Sequence, residues 1–143
     1  VAVTITLYNH SAARFASGAN SSSDTYKVKL LTAATFDASH TTLAATGGTE
    51  VASANGYTAG GAALANVAVT TITTNDAKFD ADDVTWTASG GSITASYAIL
   101  YNDTDVDDPP VAFIDFGASE SAGDTTQFKI IWNGSGIFTW TVA

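Results

Sequence analysis

The chain has 143 residues, the size of one domain, and carries 14 Asp and Glu against 5 Lys and Arg, a formal charge of −9. Only Lys27 and Lys29 lie close together, so no basic face for nucleic acid is expected. The absence of Cys excludes disulfide scaffolds, thiolate metal sites and thiol catalysis. No apolar run of about 18 residues occurs, so a soluble chain with no membrane partner is expected, and the lack of Met implies a removed initiator or a cleaved leader. Ala, Thr, Ser and Gly supply about half of the residues, which leaves enough large apolar side chains for one thin core.

Period two dominates the chain. Val1, Val3, Ile5 and Leu7 alternate with Ala2, Thr4, Thr6 and Tyr8, predicting a strand. A small-residue stretch follows, with one helical turn around Ala12 to Ala16 and a flexible connection at Ser21, Ser22 and Ser23. Residues 1–24 therefore read as an N-terminal strand on a flexible arm, and residues 25–143 as a single domain. A strand on such a tether is expected to pair with a neighbour's edge slightly in preference to its own sheet. Tyr26, Val28 and Leu30 alternate with Lys27 and Lys29 in a second strand, one face wet and one dry. Thr32 to Gly48 is irregular, with Phe36 and Leu43 expected to touch the core, and Thr49 to Ala52 is a short strand. Asn55 to Gly61 has loop chemistry, since Gly supplies positive φ without steric cost. Ala62 to Thr74 reads as one strand bent near Asn66, and Asp76 to Asp83 as an acidic connection around Phe79.

Val84, Trp86 and Ala88 alternate with Thr85 and Thr87. Ile93 to Tyr101 is almost continuously apolar, the pattern of a central strand covered on both faces. An acidic loop from Asn102 closes at Pro109 and Pro110. Val111 to Phe116 is a strand and Gly117 to Asp124 a loop. Gln127 to Trp132 and Ile137 to Val142, joined by a tight turn at Asn133 to Gly136, predict a hairpin. Eight or nine short strands without a long helix give an all-β fold: an antiparallel β-sandwich, with a jelly roll favoured by the long connections at 32–48 and 102–110. Val84, Trp86, Tyr97, Ile99, Phe113, Ile130 and Phe138 are expected to be buried.

The residues with chemical potential each have a plainer reading. His10 and His40 stand in Ser- and Thr-rich connections without a nucleophile motif, and read as surface polar residues. Asp103, Asp105 and Asp107 alternate as oxygen ligands for calcium do, but Pro109 and Pro110 stand where an EF-hand needs its glycine turn and distal Glu. That loop, and the acidic group Asp76, Asp80, Asp82 and Asp83, read as solvated and not as a divalent site or a glycosidase pair. Trp86, Trp132 and Trp140 read as core rings in preference to a sugar platform. Asp115, inside an apolar strand, is placed by alternation on the side of Val111 and Phe113, at the wet end of the strand. No catalytic, cofactor-binding or metal-binding residue is expected.

Four segments carry a likeness to known proteins. They are Gly56-Tyr57-Thr58-Ala59-Gly60-Gly61, Asp83-Val84-Thr85-Trp86, Ile93 to Asn102 and Ile114-Asp115-Phe116-Gly117. In this order and spacing, over roughly residues 25–143, the chain resembles a family of small virion structural proteins of tailed bacteriophages. The resemblance implies a β-rich head decoration or cement protein without catalytic residues. The expectation is a non-enzymatic protein on the capsid exterior that clamps adjacent major capsid subunits as a homo-oligomer, dimer or trimer. Two alternatives stay open: a tail or fibre component binding a host receptor or glycan, and a small secreted carbohydrate-binding module or glycosidase fragment.

Overall fold

The computed structural model describes residues 3–73 and 75–141. Its elements are β1 (Thr4–Leu7), α1 (Ser11–Ser17), β2 (Tyr26–Ala33), α2 (Leu43–Thr46), β3 (Thr49–Glu50), β4 (Ala62–Ala63) and β5 (Ala68–Thr73), followed by β6 (Asp76–Asp80), β7 (Val84–Thr87), β8 (Ile93–Asn102), β9 (Pro110–Ala122), β10 (Gln127–Ile130) and β11 (Phe138–Trp140). The fold is all-β and antiparallel, a sandwich with two short helices. The main sheet runs β1-β9-β8-β2-β3, with β4 also on β2. A pair, β10-β7, and a three-stranded sheet, β11-β6-β5, form the other layer. These pairings do not establish the jelly-roll wiring.

The central strand β8 is covered on both faces, as its apolar run predicts. Ala98 and Leu100 join a cluster with Tyr26, Val28, Leu30, Ala112 and Ile114 from the main sheet. Phe79, Trp86, Phe128 and Ile130 of the two smaller sheets complete that cluster. Ile99 and Tyr101 point the other way and pack with Tyr8, Leu31 and Phe113 under Phe36 and Leu43, so the irregular segment does reach the interior. Lys27 and Lys29 lie on this second face, paired across the ladder with Tyr101 and Ile99, and are half-buried along their stems. Of the side chains expected inside, Val84, Trp86, Ile99, Phe113 and Ile130 are buried, while Tyr97 and Phe138 are half-buried.

The glycine-rich loop is required by close approach. Gly56 and Gly61 have φ of 89° and 83°. A Cβ at Gly56 would collide with the carbonyl oxygen of Thr87, and one at Gly61 with that of Val28. Asn66, with φ of 53°, makes the expected bend, but the bend separates two strands: β4 joins the main sheet and β5 the three-stranded one.

Several expectations are corrected. The N-terminal strand pairs within its own chain, Ile5 opposite Ile114, and so completes its own sheet. The arm behind it contains two turns of helix, ended by Gly18 at φ 80°. Phe15 of this helix stacks against Tyr26 and meets Phe79, Phe138 and Trp140 edge-on. That packing outweighs the weak helical signal of a small-residue stretch. Asp76 to Asp80 is strand β6 and not a connection: Phe79 is fully buried between Val69 and Phe138, and the charged residues take the opposite face. Strand β9 continues through the expected loop to Ala122. It does so by a wide bulge, with Asp115 opposite Tyr97 but Glu120 opposite Ala95. The expected terminal hairpin does not form. Its turn exists, with Gly136 N–H donating to Asn133 O at 2.8 Å, but β10 pairs with β7 and β11 with β6. Between the two strands Trp132 is anchored to the connection before β7, its indole N–H donating to Asp82 O at 3.0 Å. Val1, Ala2, Thr74 and Val142, included in the expected strands, lie outside the described residues.

Candidate functional site

The acidic loop between β8 and β9 is built on Asn102, which is fully buried. Its amide donates to Asn20 Oδ1 and to Asp24 Oδ2, both at 3.0 Å, tying the loop to the turn behind α1. Asp103 pairs with Lys27 at 2.9 Å, and Asp105 with Arg14. Arg14 also donates to Asn20 Oδ1, so one guanidinium joins the helix, the turn and the loop. The hydrogen bond from Arg14 holds the Asp105 carboxyl below the ordinary carboxylate range. The charge of Arg14 and the N–H of Val106 add to this against the cost of desolvation. Asp107 and Asp108 adopt left-handed φ of 68° and 47°. The loop has cationic partners from its own chain where a calcium loop would have convergent free oxygens.

Of the second acidic group, Asp80, Asp82 and Asp83 line an open cleft of about 460 Å³ with Lys129, Trp132 and Asn133. Here too the carboxylates are engaged. Asp80 pairs with Lys78 at 2.9 Å, Asp83 lies 3.4 Å from Lys129, and Asp82 accepts from Asn66 Nδ2 at 2.7 Å. Asp83 Oδ1 also accepts from the backbone N–H of Trp132 at 3.0 Å. Among the described residues no group of three or more His, Asp or Glu is arranged to hold a metal ion.

The histidines are half-buried, in contrast to the surface placement expected of them. His10 Nε2 lies 2.7 Å from Pro110 O, and His40 Nε2 is 3.8 Å from Asp37 Oδ2. Two hydrogen bonds from Ser39 hold the Asp37 carboxyl low. Trp86 and Trp132 are core rings, Trp86 lying against Tyr57 and Phe128. Trp140 is half-buried. Asp115 is half-buried and accepts from Gly117 N–H at 2.8 Å, which helps form the bulge. It does not share a side with Val111, because a register shift at the start of β9 turns Val111 into the larger cluster while Phe113 joins the other.

One polar knot escaped the sequence reading. Glu50 accepts from Tyr57 Oη at 2.8 Å and from Gly60 N–H at 2.6 Å, while Tyr57 Oη accepts from Leu30 N–H at 3.0 Å. Tyr101 donates to Gly60 O at 2.6 Å. Burial is the main cause that pushes both phenols well above the ordinary tyrosine range. The knot clamps the glycine-rich loop onto β2; a lone Glu in a two-residue strand gave no signal for it.

What the surface leaves unpaired is of another kind. β1 ends the main sheet and β5 ends the three-stranded sheet. Neither strand contains a charged residue. Val3, Val69, Ile72, Val106 and Ile131 are large apolar side chains open to solvent. Val3 and Ile131 border a groove floored by Phe116 and Phe128. No protein-family model, curated protein or solved structure matches the chain.

Proposed function

We propose that this protein is a non-enzymatic structural component of a bacteriophage virion that binds the capsid exterior and cements adjacent major capsid subunits. It acts there as a small homo-oligomer, a dimer or trimer. The resemblance of the four segments around Tyr57, Trp86, Tyr97 and Asp115 to phage virion proteins supports the reading. The observation that carries it is the open surface: neutral strand edges at β1 and β5, with apolar side chains beside both. Exposed edges and apolar patches are contact chemistry, suited to adding strands or loops of another protein. A clamp between shell subunits needs many such modest contacts repeated by symmetry, each of about 800 Å² per partner or less.

The test is to strip the protein from particles, or delete its gene, and heat the result. Particles lacking it are expected to lose DNA at lower temperature or under milder osmotic shock. Particles equally robust but unable to adsorb to the host would replace this reading with a tail or receptor-binding one.

A further inference from the structure

We infer that Asn133 is a site of spontaneous modification, converting to aspartate and isoaspartate through a succinimide closed with Gly134, and that the fold denies the same reaction to the chain's other Asn-Gly pair. The two pairs are Asn55-Gly56 and Asn133-Gly134. Glycine after asparagine is the favourable case, because no Cβ hinders the approach of its nitrogen to the side-chain amide. Sequence treats the pairs alike, and both are exposed.

Their surroundings differ. Asn133 stands in the turn between β10 and β11, with Gly134 and Ser135 exposed beside it. A Cβ at Gly134 would meet nothing within 4 Å. The attacking group, Gly134 N–H, and the leaving group, Asn133 Nδ2, donate no hydrogen bond among the described residues. Asn133 Oδ1 accepts from Ser135 N–H at 2.9 Å. That bond polarises the side-chain carbonyl and faces the oxygen on which negative charge develops during attack. Asn55 is clamped instead. Its Nδ2 donates to Ser92 O at 3.2 Å, and its backbone O accepts from Ser89 N–H at 3.0 Å. Its amide lies against Gly91, where a Cβ would stand 2.8 Å from Asn55 Cγ. Gly56 is pressed onto the Thr87 carbonyl. Closing a ring at Asn55 requires this loop to open first.

The reaction needs only water. The Gly134 nitrogen bonds to Asn133 Cγ as its proton passes through solvent to Nδ2, the Cγ–Nδ2 bond breaks, and Nδ2 leaves as ammonia. Water then opens the imide. Attack at Cγ restores the main chain as aspartate; attack at the backbone carbonyl carbon leaves the chain running through Cγ, as isoaspartate. Either product adds a negative charge beside Asp80, Asp82, Asp83 and Lys129 in the cleft that Asn133 lines. In isoaspartate the oxygen that accepts from Gly136 N–H at 2.8 Å belongs to a branch carboxylate, and the turn's main chain is one atom longer. The inference is independent of the virion reading.

The test holds the purified chain in mildly alkaline buffer and samples it over days. Cleavage after Lys129 leaves Asn133 as the only asparagine of the last peptide, so the mass gain of acid over amide is assigned directly. Isoaspartyl methyltransferase labels the isoaspartate. Asn133 is expected to convert about tenfold faster than Asn55 in the folded protein, and at a similar rate in urea, where the fold no longer separates them. Gly134→Ala places a Cβ in open space and is expected to slow conversion about tenfold with the melting temperature retained. An amide that persists at Asn133 while the urea sample converts, equal rates at both sites in the folded chain, or a Gly134→Ala variant that converts as fast as the wild type would each overturn the inference.

Discussion

The two faces of the main sheet are covered by different means. On one face, two small sheets and α1 bring rings from five elements against β2, β8 and β9, and the cluster includes Trp86, Phe79, Phe128 and Tyr26. On the other, the cover is the segment between β2 and β3, which has one short helix and sets Phe36 and Leu43 over Tyr8, Ile99 and Phe113. Phe36 meets Tyr8 edge-on at 5.1 Å and Phe113 at the same distance. The first cover is regular, and its residues hold one another. The second is a flap held by a few rings and caps, such as the Thr42 hydroxyl accepting from Ala45 N–H at 3.2 Å. Packing against strands, not backbone regularity, is what orders it.

The contrast predicts unequal responses to truncation. Trp86→Ala empties a fully packed site and is expected to cost roughly 3–5 kcal/mol, a large share of a domain's stability. The whole protein should then melt early in one cooperative step, and a Trp86→Ala variant of near wild-type stability would show that the small sheets are not integral to the core. Phe36→Ala removes a half-buried ring and is expected to cost about 2 kcal/mol. Hydrogen exchange should speed up first at the Leu43 and Ala45 amides, whose partners are Asp107 O and the Thr42 hydroxyl, while β8 amides stay protected. Equal acceleration on both faces would mean that the flap and the sandwich open as one unit.

The same contrast explains what the sequence disclosed. The strands around Trp86 and Ile99 were legible because period two and a continuous apolar run are local signals. So was the arrival of Phe36 in the interior, because a large ring in a Ser- and Thr-rich stretch has few other uses. Partnership was not legible. The turn at Asn133 to Gly136 has hairpin chemistry, yet its two strands pair with β7 and β6, and the bonds of Trp132 to Asp82 and Asp83 likewise join residues far apart in sequence. β6 does carry the alternation, with Ala77 and Phe79 between Asp76, Lys78 and Asp80, but the acidic run that continues through Asp82 and Asp83 reads as a connection. The anchoring of the 102–110 loop depends on Arg14 and Lys27, each more than 75 residues away, which no local pattern reveals.

Alkaline pH probes both faces together. Burial, with Asp37 nearby, pushes the Tyr8 phenol up to about 12, and burial raises those of Tyr26, Tyr57 and Tyr101 further. A phenol kept neutral by the fold ionises at lower pH once the chain unfolds. The stability it contributes is therefore complete below the ordinary tyrosine value near 10 and is lost as pH rises above it. Urea midpoints are expected to hold steady from pH 7 to 9 and fall above about 10. Tyr8→Phe keeps the ring and removes the ionisable group, so its midpoint should fall less steeply on the alkaline side. An unchanged slope would mean that Tyr8 reaches solvent and that the flap is open in solution.

The smallest expected effect is that of calcium, and the reason lies in how the two acidic segments are engaged. A divalent ion would need several carboxylates free to converge at about 2.3–2.6 Å. In the 102–110 loop Asp105 belongs to Arg14 and Asp103 to Lys27; in the other group Asp80 belongs to Lys78 and Asp83 approaches Lys129. An ion must displace these cations before it gains a ligand. Calorimetry is expected to show nothing stronger than about millimolar binding, with no rise in melting temperature at lower calcium. The depressed Asp105 carboxyl gives an internal control: its pairing contributes stability above the ordinary carboxylate range, and this is lost as pH falls through the lowered value. Asp105→Asn should flatten the acid limb of the stability curve and leave the calcium response absent. If Asp105→Asn instead abolishes a micromolar site that the wild type displays, the loop is a metal site whose Arg14 contact breaks on binding.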